Sequence, residues 1–311
     1  MQELAFTLAN TMEYVSRAID AGLEVDSFAP RLSFFFAAHN DLFEEVAKFR
    51  AARRLYARLM RERFKASDAS ARMRFHTQTG GVTLTAQQPL NNVVRVTVQA
   101  LAATLGGTQS LHTNGYDEAL SLPTAEAATL ALRTQQIIAY ESGVANTVDP
   151  LAGSYYVENL TSELEKQAME LIGKSDAAGG SVAAIAGGFF QEEIARSAYE
   201  HQLRVESGAT TVVGVNRFTD DEPAPPIPSP DYSRLERDQV KSLQDVKRKR
   251  DNAAVGRCLG ALSEGAASLV KNGDERSHLM PLIIDAVRVR CTTGEISDTL
   301  ESQWGVYSPS I

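Results

Sequence analysis

The feature of this sequence that most restricts its fold is a regular alternation of short strand-like runs and amphipathic helices within the first 140 residues. The runs and helices alternate at residues 32–36, 42–64, 72–81, 90–105, 108–119 and 123–140. Strands that are connected by helices of this length pair in parallel, because an antiparallel hairpin needs only a short turn. We therefore predict an α/β fold with a parallel sheet and crossover helices.

Each predicted strand ends in polar residues, in the stretches AAHND, HTQTGG and HTNGYDEA. Ligands bind at this carboxyl edge in parallel α/β folds. His39, His76 and His112 therefore predict a shared polar pocket, although each could instead be an ordinary structural hydrogen-bonding residue. Gln78 and Asn114 are neutral donors and acceptors, which suit amides, carbonyls or a large neutral cofactor better than general acid–base catalysis.

Other candidate residues leave two interpretations open. Gly80 and Gly81 allow close approach of a bulky ligand or simply form a tight turn. Arg31 can anchor a phosphate or carboxylate or lie free on the surface. Glu118 can contact a ligand or stabilise the first turn of a helix. The three histidines also leave open a zinc site in a metal-dependent barrel hydrolase.

Composition excludes several classes of protein. The net charge of −8 argues against a nucleic-acid-binding face, and no apolar run approaches the roughly 18 residues of a membrane helix. Cys258 and Cys291 are too few for a disulfide framework, and the N-terminus lacks the pattern of a signal peptide. We therefore expect a cytoplasmic protein. P-loop, GxSxG and HExxH motifs are missing as well, so the residues alone name no reaction.

The sequence divides into four predicted segments. They are partial barrel units at 1–145, a mainly helical extension with one short strand (210–216) at 146–219, a proline-rich linker at 220–232, and a helical segment at 233–311. Five prolines between Pro223 and Pro230 define the linker. Within the last segment, we predict one long helical stretch over 233–271. Its VKRKRD run predicts a solvated helix face, with anion binding as the alternative.

Four long stretches resemble one known family. They are APRLSFFF, FHTQTGGVTLTAQQPLNNVVR, LGGTQSLHTNGYDEALSLPT and DPLAGSYYVE. In this order they resemble the large subunit of adenosylcobalamin-dependent acyl-CoA mutases, the family of methylmalonyl-CoA mutase, from Leu4 to the C-terminus. The resemblance implies the C-terminal part of a TIM (β/α)8 barrel, its last three strand–helix units, followed by a mainly helical region. It also implies radical carbon-skeleton isomerisation of an acyl-CoA with adenosylcobalamin.

The resemblance implies roles for ten residues. They are Arg31 and Ser33 at the CoA thioester, Phe35 in the substrate cavity, His76, Gln78 and Asn114 around the reacting centre, and Gly81, Glu118, Ala119 and Leu122 bordering the cobalamin. The family's cobalt-ligating D-x-H-x-x-G motif does not occur, so the ligand is expected from a small cobalamin-binding partner subunit in a homo- or hetero-oligomer. We expect neither nucleic acid nor membrane as a partner.

Two departures from the family bear on these expectations. The SGYH stretch that precedes the region of Met1 in the family is missing, which suggests the C-terminal part of a large subunit and an exposed apolar barrel interior. Val82 stands where some members have tryptophan. The alternative is a non-catalytic truncated subunit that assembles with a cobalamin-binding partner. The choice among acyl-CoA substrates is left open.

Overall fold

The structure, a computed structural model, describes residues 1–220, 231–272 and 279–308, without the side chains of 270–272. It divides into two compact units, the N-terminal unit Met1–Pro230 and the C-terminal unit Asp231–Ser310. Most of the predicted proline-rich linker, residues 221–230, lies outside the described residues. Across the described part of the chain, no helix is long and apolar enough to cross a membrane.

A three-stranded parallel sheet organises the N-terminal unit. Strands β1 (Phe34–Ala38), β2 (Phe75–Thr79) and β3 (Ser110–His112) pair side by side in chain order. Helix α3 (Leu42–Phe64) connects β1 to β2, and α4 (Asn91–Leu105) connects β2 to β3. The prediction of parallel strands with crossover helices is confirmed. A closed barrel is not formed by the described residues, so the barrel assignment belongs to the proposal below.

The N-terminal unit contains further helices. They are α1 (Gln2–Asp20), α2 (Val25–Phe28), α5 (Ala125–Tyr140), α6 (Tyr155–Ala177), α7 (Ser181–Ala186) and α8 (Phe189–Glu206). Of these, α5 lies within the predicted helix over 123–140, and α6 to α8 lie in the predicted helical extension. The two ends of helix α3 are determined by the residues that cap it. The Asp41 carboxylate accepts a hydrogen bond from the backbone N–H of Glu44 at its start, and Lys65 adopts a left-handed conformation (φ 55°) at its end.

One face of the sheet packs on α3 to form the core. Phe36 and Phe75 project from neighbouring strands towards Phe49 of α3, and the rings of Phe49 and Phe75 stack with centroids 5.2 Å apart. All three side chains are buried, together with the apolar face of α1. Because successive side chains of a strand alternate between faces, the other face must carry the intervening residues.

That opposite face of the sheet is uncovered in the described structure. It carries the exposed or half-buried side chains Phe35, Ala37, His76, Gln78, Ser110 and His112. The expectation of an exposed apolar interior is therefore wrong for these three strands, because four of these six side chains are polar. We call this surface the open face. Its polar composition agrees with a ligand-facing wall rather than with an unfinished core.

The free edge of β1 is covered by charged side chains, of which Lys48 and Glu45 are buried and Glu3 is half-buried. Lys48 of α3 donates hydrogen bonds to the Ala37 carbonyl (2.7 Å) and to the carboxylates of Glu3 (2.7 Å) and Glu45 (2.6 Å). Glu3 in turn accepts the Ala37 N–H at 2.7 Å. Burial by itself would lower the pKa of Lys48, but the two carboxylates outweigh burial and raise the pKa above its ordinary 10.5. One lysine thus ties α1, α3 and β1 together.

The short strand expected at residues 210–216 is not formed. These residues make a turn that contains a single bridge between Val213 and Arg217. The Asn216 side chain accepts the Val212 N–H at 2.7 Å and donates to two backbone carbonyls, so it satisfies groups that a strand would offer to a neighbour. Val213 and Val215 are exposed in this turn, so the valines of the stretch do not form the buried side of a strand.

The described residues of the C-terminal unit form four helices: α9 (Ser233–Lys249), α10 (Asn252–Asn272), α11 (Leu279–Arg288) and α12 (Thr293–Trp304). The prediction of one long helical stretch over 233–271 is wrong at its middle. Arg250 is extended, and the Asp251 carboxylate accepts the N–H groups of Ala253 and Ala254 at the start of α10. An aspartate in this position stops one helix and starts the next.

A buried arginine links the VKRKRD run to α12. Arg250 donates to both carboxylate oxygens of Glu295, and Glu295 also forms a capping box with Thr292. These hydrogen bonds, that from Arg250 above all, hold the pKa of Glu295 far below its ordinary value. Arg250 therefore has a structural role, and the prediction of a purely solvated face does not hold at this residue.

We expect this pair to make the C-terminal unit sensitive to acid. Because the folded-state pKa of Glu295 is depressed, its contribution is fully present above the ordinary pKa near 4.5 and is lost as the pH falls through the folded-state pKa. Glu295→Gln preserves a capping box but removes the charge. The variant should be less stable than the parent at pH 7, by a margin that shrinks below pH 4.5. Urea unfolding followed by fluorescence of Trp304, the sole tryptophan, measures this margin.

The exposed pair Arg288–Asp285 supplies a matched control. Asp285→Asn should leave both the stability and its pH dependence close to those of the parent, because exposed pairs contribute little. A Glu295→Gln variant as stable as the parent at pH 7 would contradict the role assigned to this pair.

Candidate functional site

The open face presents its side chains in two rows across the strands. In the first row, Phe35, His76 and Ser110 lie opposite one another. The rings of Phe35 and His76 have centroids 5.1 Å apart, and His76 Nδ1 is 2.7 Å from Ser110 Oγ. In the second row, Gln78 and His112 lie one step nearer the carboxyl edge. The sheet therefore brings an aromatic ring, an imidazole and an amide to the same surface.

Asn114 connects the open face to the loop that follows β3. Its Nδ2 donates to the Thr79 carbonyl at 2.9 Å, and its Oδ1 accepts a hydrogen bond from Gln78 Nε2 at 2.8 Å. Its own backbone N–H donates to Thr79 Oγ1 at 2.9 Å. The Asn114 side chain is almost fully buried, whereas Gln78 is half-buried. Asn114 thus fixes the direction of the Gln78 amide.

The three predicted substrate residues lie along the entry to β1. Arg31, Ser33 and Phe35 are all exposed, Phe35 to 59%. Arg31 forms no ion pair with any described carboxylate, so its guanidinium is available to an anionic group. Ser33 and Phe35 line a hollow of about 290 Å³ whose other wall is α1, with Asn10 and Tyr14 among its residues. Polar residues such as Asn10 on an otherwise apolar helix are the one sequence feature that marks this α1 wall.

Two glycines at the tip of β2 are required by close contacts. A Cβ atom on Gly80 would lie 2.4 Å from His39 Cδ2, and one on Gly81 would lie 2.9 Å from Asn114 Nδ2 and 3.5 Å from Glu118 Cγ. Gly81 and Glu118, both predicted to border the cobalamin, are therefore neighbours in space. Only glycine lets the β2 tip approach the β3 loop this closely.

The other two residues predicted to border the cobalamin, Ala119 and Leu122, are exposed on the loop after β3, Leu122 to 61%. The structure does not bring them into a described contact with Gly81. The same loop contains Asp117, whose side chain is fully buried and which the sequence analysis did not single out. Thr79 and Ser110 were missed as well, although Thr79 lies in the HTQTGG stretch and Ser110 lies two residues before HTNGYDEA. Their partners, Asn114 for Thr79 and His76 for Ser110, depend on how the strands pair, which the sequence does not specify.

The three histidines do not form a metal site. His76 contacts Ser110, His39 lies against Gly80, and His112 is exposed at the end of β3. Within the described ranges, no group of three or more His, Cys, Asp or Glu side chains could hold a metal ion. The zinc-hydrolase interpretation therefore lacks a ligand set in this part of the chain.

Comparison with known proteins identifies a family. The sequence model described as methylmalonyl-CoA mutase matches residues 1–306. The chain is 50% identical over 309 residues to the 2-hydroxyisobutanoyl-CoA mutase large subunit of Aquincola tertiaricarbonis, covering 99% of this chain and 54% of the relative.

Methylmalonyl-CoA mutases are similar over the same region. The Escherichia coli (strain K12) protein is 46% identical over 309 residues, covering 99% of this chain and 42% of the relative. The mitochondrial protein of Homo sapiens is 43% identical over 307 residues, covering 98% and 40%. The chain therefore spans between about two fifths and just over half the length of these relatives.

Proposed function

Because the chain belongs to the methylmalonyl-CoA mutase family, we propose that it is a large-subunit segment of an acyl-CoA mutase, an intramolecular transferase. Its three strand–helix units would be the last three of a TIM barrel, with 1–145 as the barrel segment, 146–219 as a helical extension, 220–232 as a linker and 233–311 as a helical segment. The observation that carries the proposal is the family match over residues 1–306, which includes every residue of the polar strand tips.

The substrate side of the site would be the entry to β1. Acyl-CoA esters carry phosphates, an amide-rich arm and an acyl group. The unpaired guanidinium of Arg31 offers charge and two parallel donors to an anionic oxygen, and the Ser33 hydroxyl offers a neutral hydrogen bond. Phe35 provides an exposed apolar wall beside His76. These three side chains suit a ligand that is charged in one part and apolar in another.

The cofactor side would be the loops at the carboxyl edges of β2 and β3. Gly81 has no side chain to fill the space next to Glu118, so a ligand can approach the backbone there, and the exposed Ala119 and Leu122 offer apolar surface. A broad ring system with polar amides at its rim fits such a surface. Adenosylcobalamin, when bound, supplies a carbon radical through homolysis of its cobalt–carbon bond.

The remaining side chains orient and shield the reacting groups. His76, held by Ser110, and Gln78, held by Asn114, present neutral hydrogen-bonding groups in fixed directions. Radical isomerisation requires no strong base, so neutral groups that bind the acyl carbonyl and exclude water suit the reaction. Fixed side chains also limit the conformations in which a reactive intermediate meets protein atoms.

The proposal includes a small cobalamin-binding subunit as a partner, in a cytoplasmic complex. One relative is named a large subunit, and the D-x-H-x-x-G motif that carries the cobalt ligand in the family does not occur in this sequence. The names of the relatives suggest methylmalonyl-CoA and 2-hydroxyisobutanoyl-CoA as the first substrates to examine. Because the chain spans only part of its relatives, a non-catalytic subunit that acts in assembly is the second candidate.

An isomerisation assay separates the two candidates. The enzyme assembled from this chain and a small cobalamin-binding subunit is incubated with each acyl-CoA, and the products are resolved by liquid chromatography and mass spectrometry. We expect isomerisation that depends on adenosylcobalamin and falls about 100-fold in His76→Ala. Arg248→Gln, remote in sequence and on an exposed helix, serves as the control and should retain activity. Assembly without isomerisation of any acyl-CoA would favour the assembly role.

A further inference from the structure

Asp117 is a fully buried carboxylate in the loop between β3 and α5. Its Oδ2 accepts two hydrogen bonds from Thr124, one from the backbone N–H at 2.9 Å and one from the hydroxyl at 3.0 Å. Thr124 caps α5 by accepting the N–H of Ala127 at 3.2 Å. The Asp117 side chain thus fixes the position at which the loop enters the helix.

The backbone of Asp117 fixes the other end of the same loop. Its carbonyl accepts the N–H groups of Leu120 at 2.8 Å and Ser121 at 3.0 Å, which closes a tight turn. Asp117 therefore fixes the segment 117–124 twice: its backbone carbonyl closes the turn at Leu120 and Ser121, and its carboxylate binds Thr124 at the end of the segment. This segment carries Glu118, Ala119 and Leu122, three of the four residues proposed to border the cobalamin.

The preceding part of the loop is anchored by other residues. Asn114 is bonded to Thr79, and the Tyr116 carbonyl accepts a hydrogen bond from Asn92 Nδ2 at 2.9 Å. Beyond Tyr116, one side chain links the turn to the start of α5 among the described residues. It is Asp117, whose carboxylate accepts both hydrogen bonds from Thr124. Removal of its carboxylate therefore releases the exposed half of the loop while β3 and its neighbours remain anchored.

Gly115 leaves room for this carboxylate. A Cβ atom on Gly115 would lie only 2.5 Å from Asp117 Oδ1 and 3.2 Å from the Ala127 Cβ. A side chain at this position would have to displace either the carboxylate or the first turn of α5. The glycine and the aspartate thus form one structural unit, and a change at either residue should disturb the same segment.

We propose that Asp117 is a positioning residue for cobalamin binding, acting through the turn that presents Glu118, Ala119 and Leu122. This inference rests on the proposed function and names a residue that determines its cofactor surface. A preformed loop binds its ligand more tightly because it loses less conformational freedom on binding. The acyl-CoA side of the site, at the entry to β1, does not depend on this turn.

The two oxygens of Asp117 differ in a way that a substitution can exploit. Oδ2 accepts both hydrogen bonds from Thr124, whereas Oδ1 has no hydrogen-bond partner among the described residues. An asparagine whose amide oxygen takes the place of Oδ2 would keep both contacts. Asp117→Asn should therefore preserve the attachment of the turn to the start of α5, whereas Asp117→Ala should release it.

Titration of the assembled enzyme with adenosylcobalamin, followed by absorbance, tests this inference. We expect Asp117→Ala and Gly115→Ala to raise the Kd for adenosylcobalamin about tenfold, roughly the effect of losing one hydrogen bond. The KM for acyl-CoA should stay within about twofold of the parent, and Asp117→Asn should restore the Kd to within about threefold. Tyr56→Phe, which removes a buried hydrogen bond to the Ser70 carbonyl, controls for a general loss of stability.

The outcomes separate this inference from the proposed function. If the parent binds adenosylcobalamin and Asp117→Ala binds it equally well, the positioning role is wrong and the proposed function stands. If the parent does not bind it, the proposed function itself fails. If Asp117→Ala does not fold, Gly115→Ala carries the same prediction, and an unchanged Kd in that variant would overturn the inference.

Discussion

Replacement of Lys48 by methionine is expected to destabilise the N-terminal unit by about 3–5 kcal/mol. The Lys48 side chain is 4% exposed and lies against Glu45, which is 7% exposed. Methionine fills a similar volume but removes the charge, and it leaves the Glu45 carboxylate buried without its cation. The variant also removes a donor from the Ala37 carbonyl at the edge of β1. Breaking one member of a buried ion pair costs more than the pair itself contributes.

The effect should depend on pH in a defined direction. Since the pKa of Lys48 is raised in the folded state, its stabilising contribution is fully present below pH 10.5 and is lost as the pH rises through the folded-state pKa. Urea unfolding followed by far-UV circular dichroism measures the loss, with Trp304 fluorescence reporting separately on the C-terminal unit.

Two further variants sharpen the interpretation of Lys48. Arg61→Gln disrupts an exposed pair with Asp68 and should change the free energy of unfolding by less than about 1 kcal/mol. The double variant Lys48→Met/Glu45→Gln should recover part of the lost stability, because it no longer buries an unpaired charge. A single Lys48→Met variant within about 1 kcal/mol of the parent would contradict the role of the lysine as the link between α1, α3 and β1.

Asn114→Ala is expected to lower kcat/KM of the assembled enzyme about 100-fold. The substitution leaves the Gln78 amide without the acceptor that orients it and the Thr79 carbonyl without its side-chain donor. Small displacements of residues that position a substrate produce losses of this size. The stability cost should be smaller, about 1–3 kcal/mol, which is the usual cost of buried polar groups that lose their partners.

A double-mutant cycle with Gln78→Ala tests whether the two amides act together. If Asn114 works by orienting Gln78, the double variant should be little worse than either single variant. Asn146→Ala, at an exposed asparagine of the same unit, should leave kcat/KM unchanged. Fully additive losses at residues 78 and 114 would show that the two side chains act independently.

Local signals predicted the helices of the N-terminal unit well, because their causes lie within a few residues. Asp41 and Lys65 start and end α3 at the predicted positions. The predicted strand over 210–216 was wrong because the decisive contacts belong to one side chain, that of Asn216. Apolar β-branched residues favour a strand, but they do not reveal whether a neighbouring strand is available, and here Val213 and Val215 remain exposed.

The sequence was sufficient to predict at which edge of the sheet the candidate site lies. Parallel strands bring Gln78 and the loop of Asn114 to the same edge, and the polar stretches in the sequence mark that edge. The hydrogen bond between the two amides and the burial of Asp117 depend on the course of the β3 loop. Sequence spacing does not determine that course, since it results from tertiary contacts with α4 and α5.

The most direct test of the whole account is an absorbance titration with adenosylcobalamin of three samples: this chain, a small cobalamin-binding subunit, and the two together. The account predicts that the mixture binds adenosylcobalamin more tightly than the small subunit alone, because the loops after β2 and β3 supply a second surface for the cofactor. Equal affinity of the mixture and the small subunit alone would contradict a cobalamin-facing role for this chain.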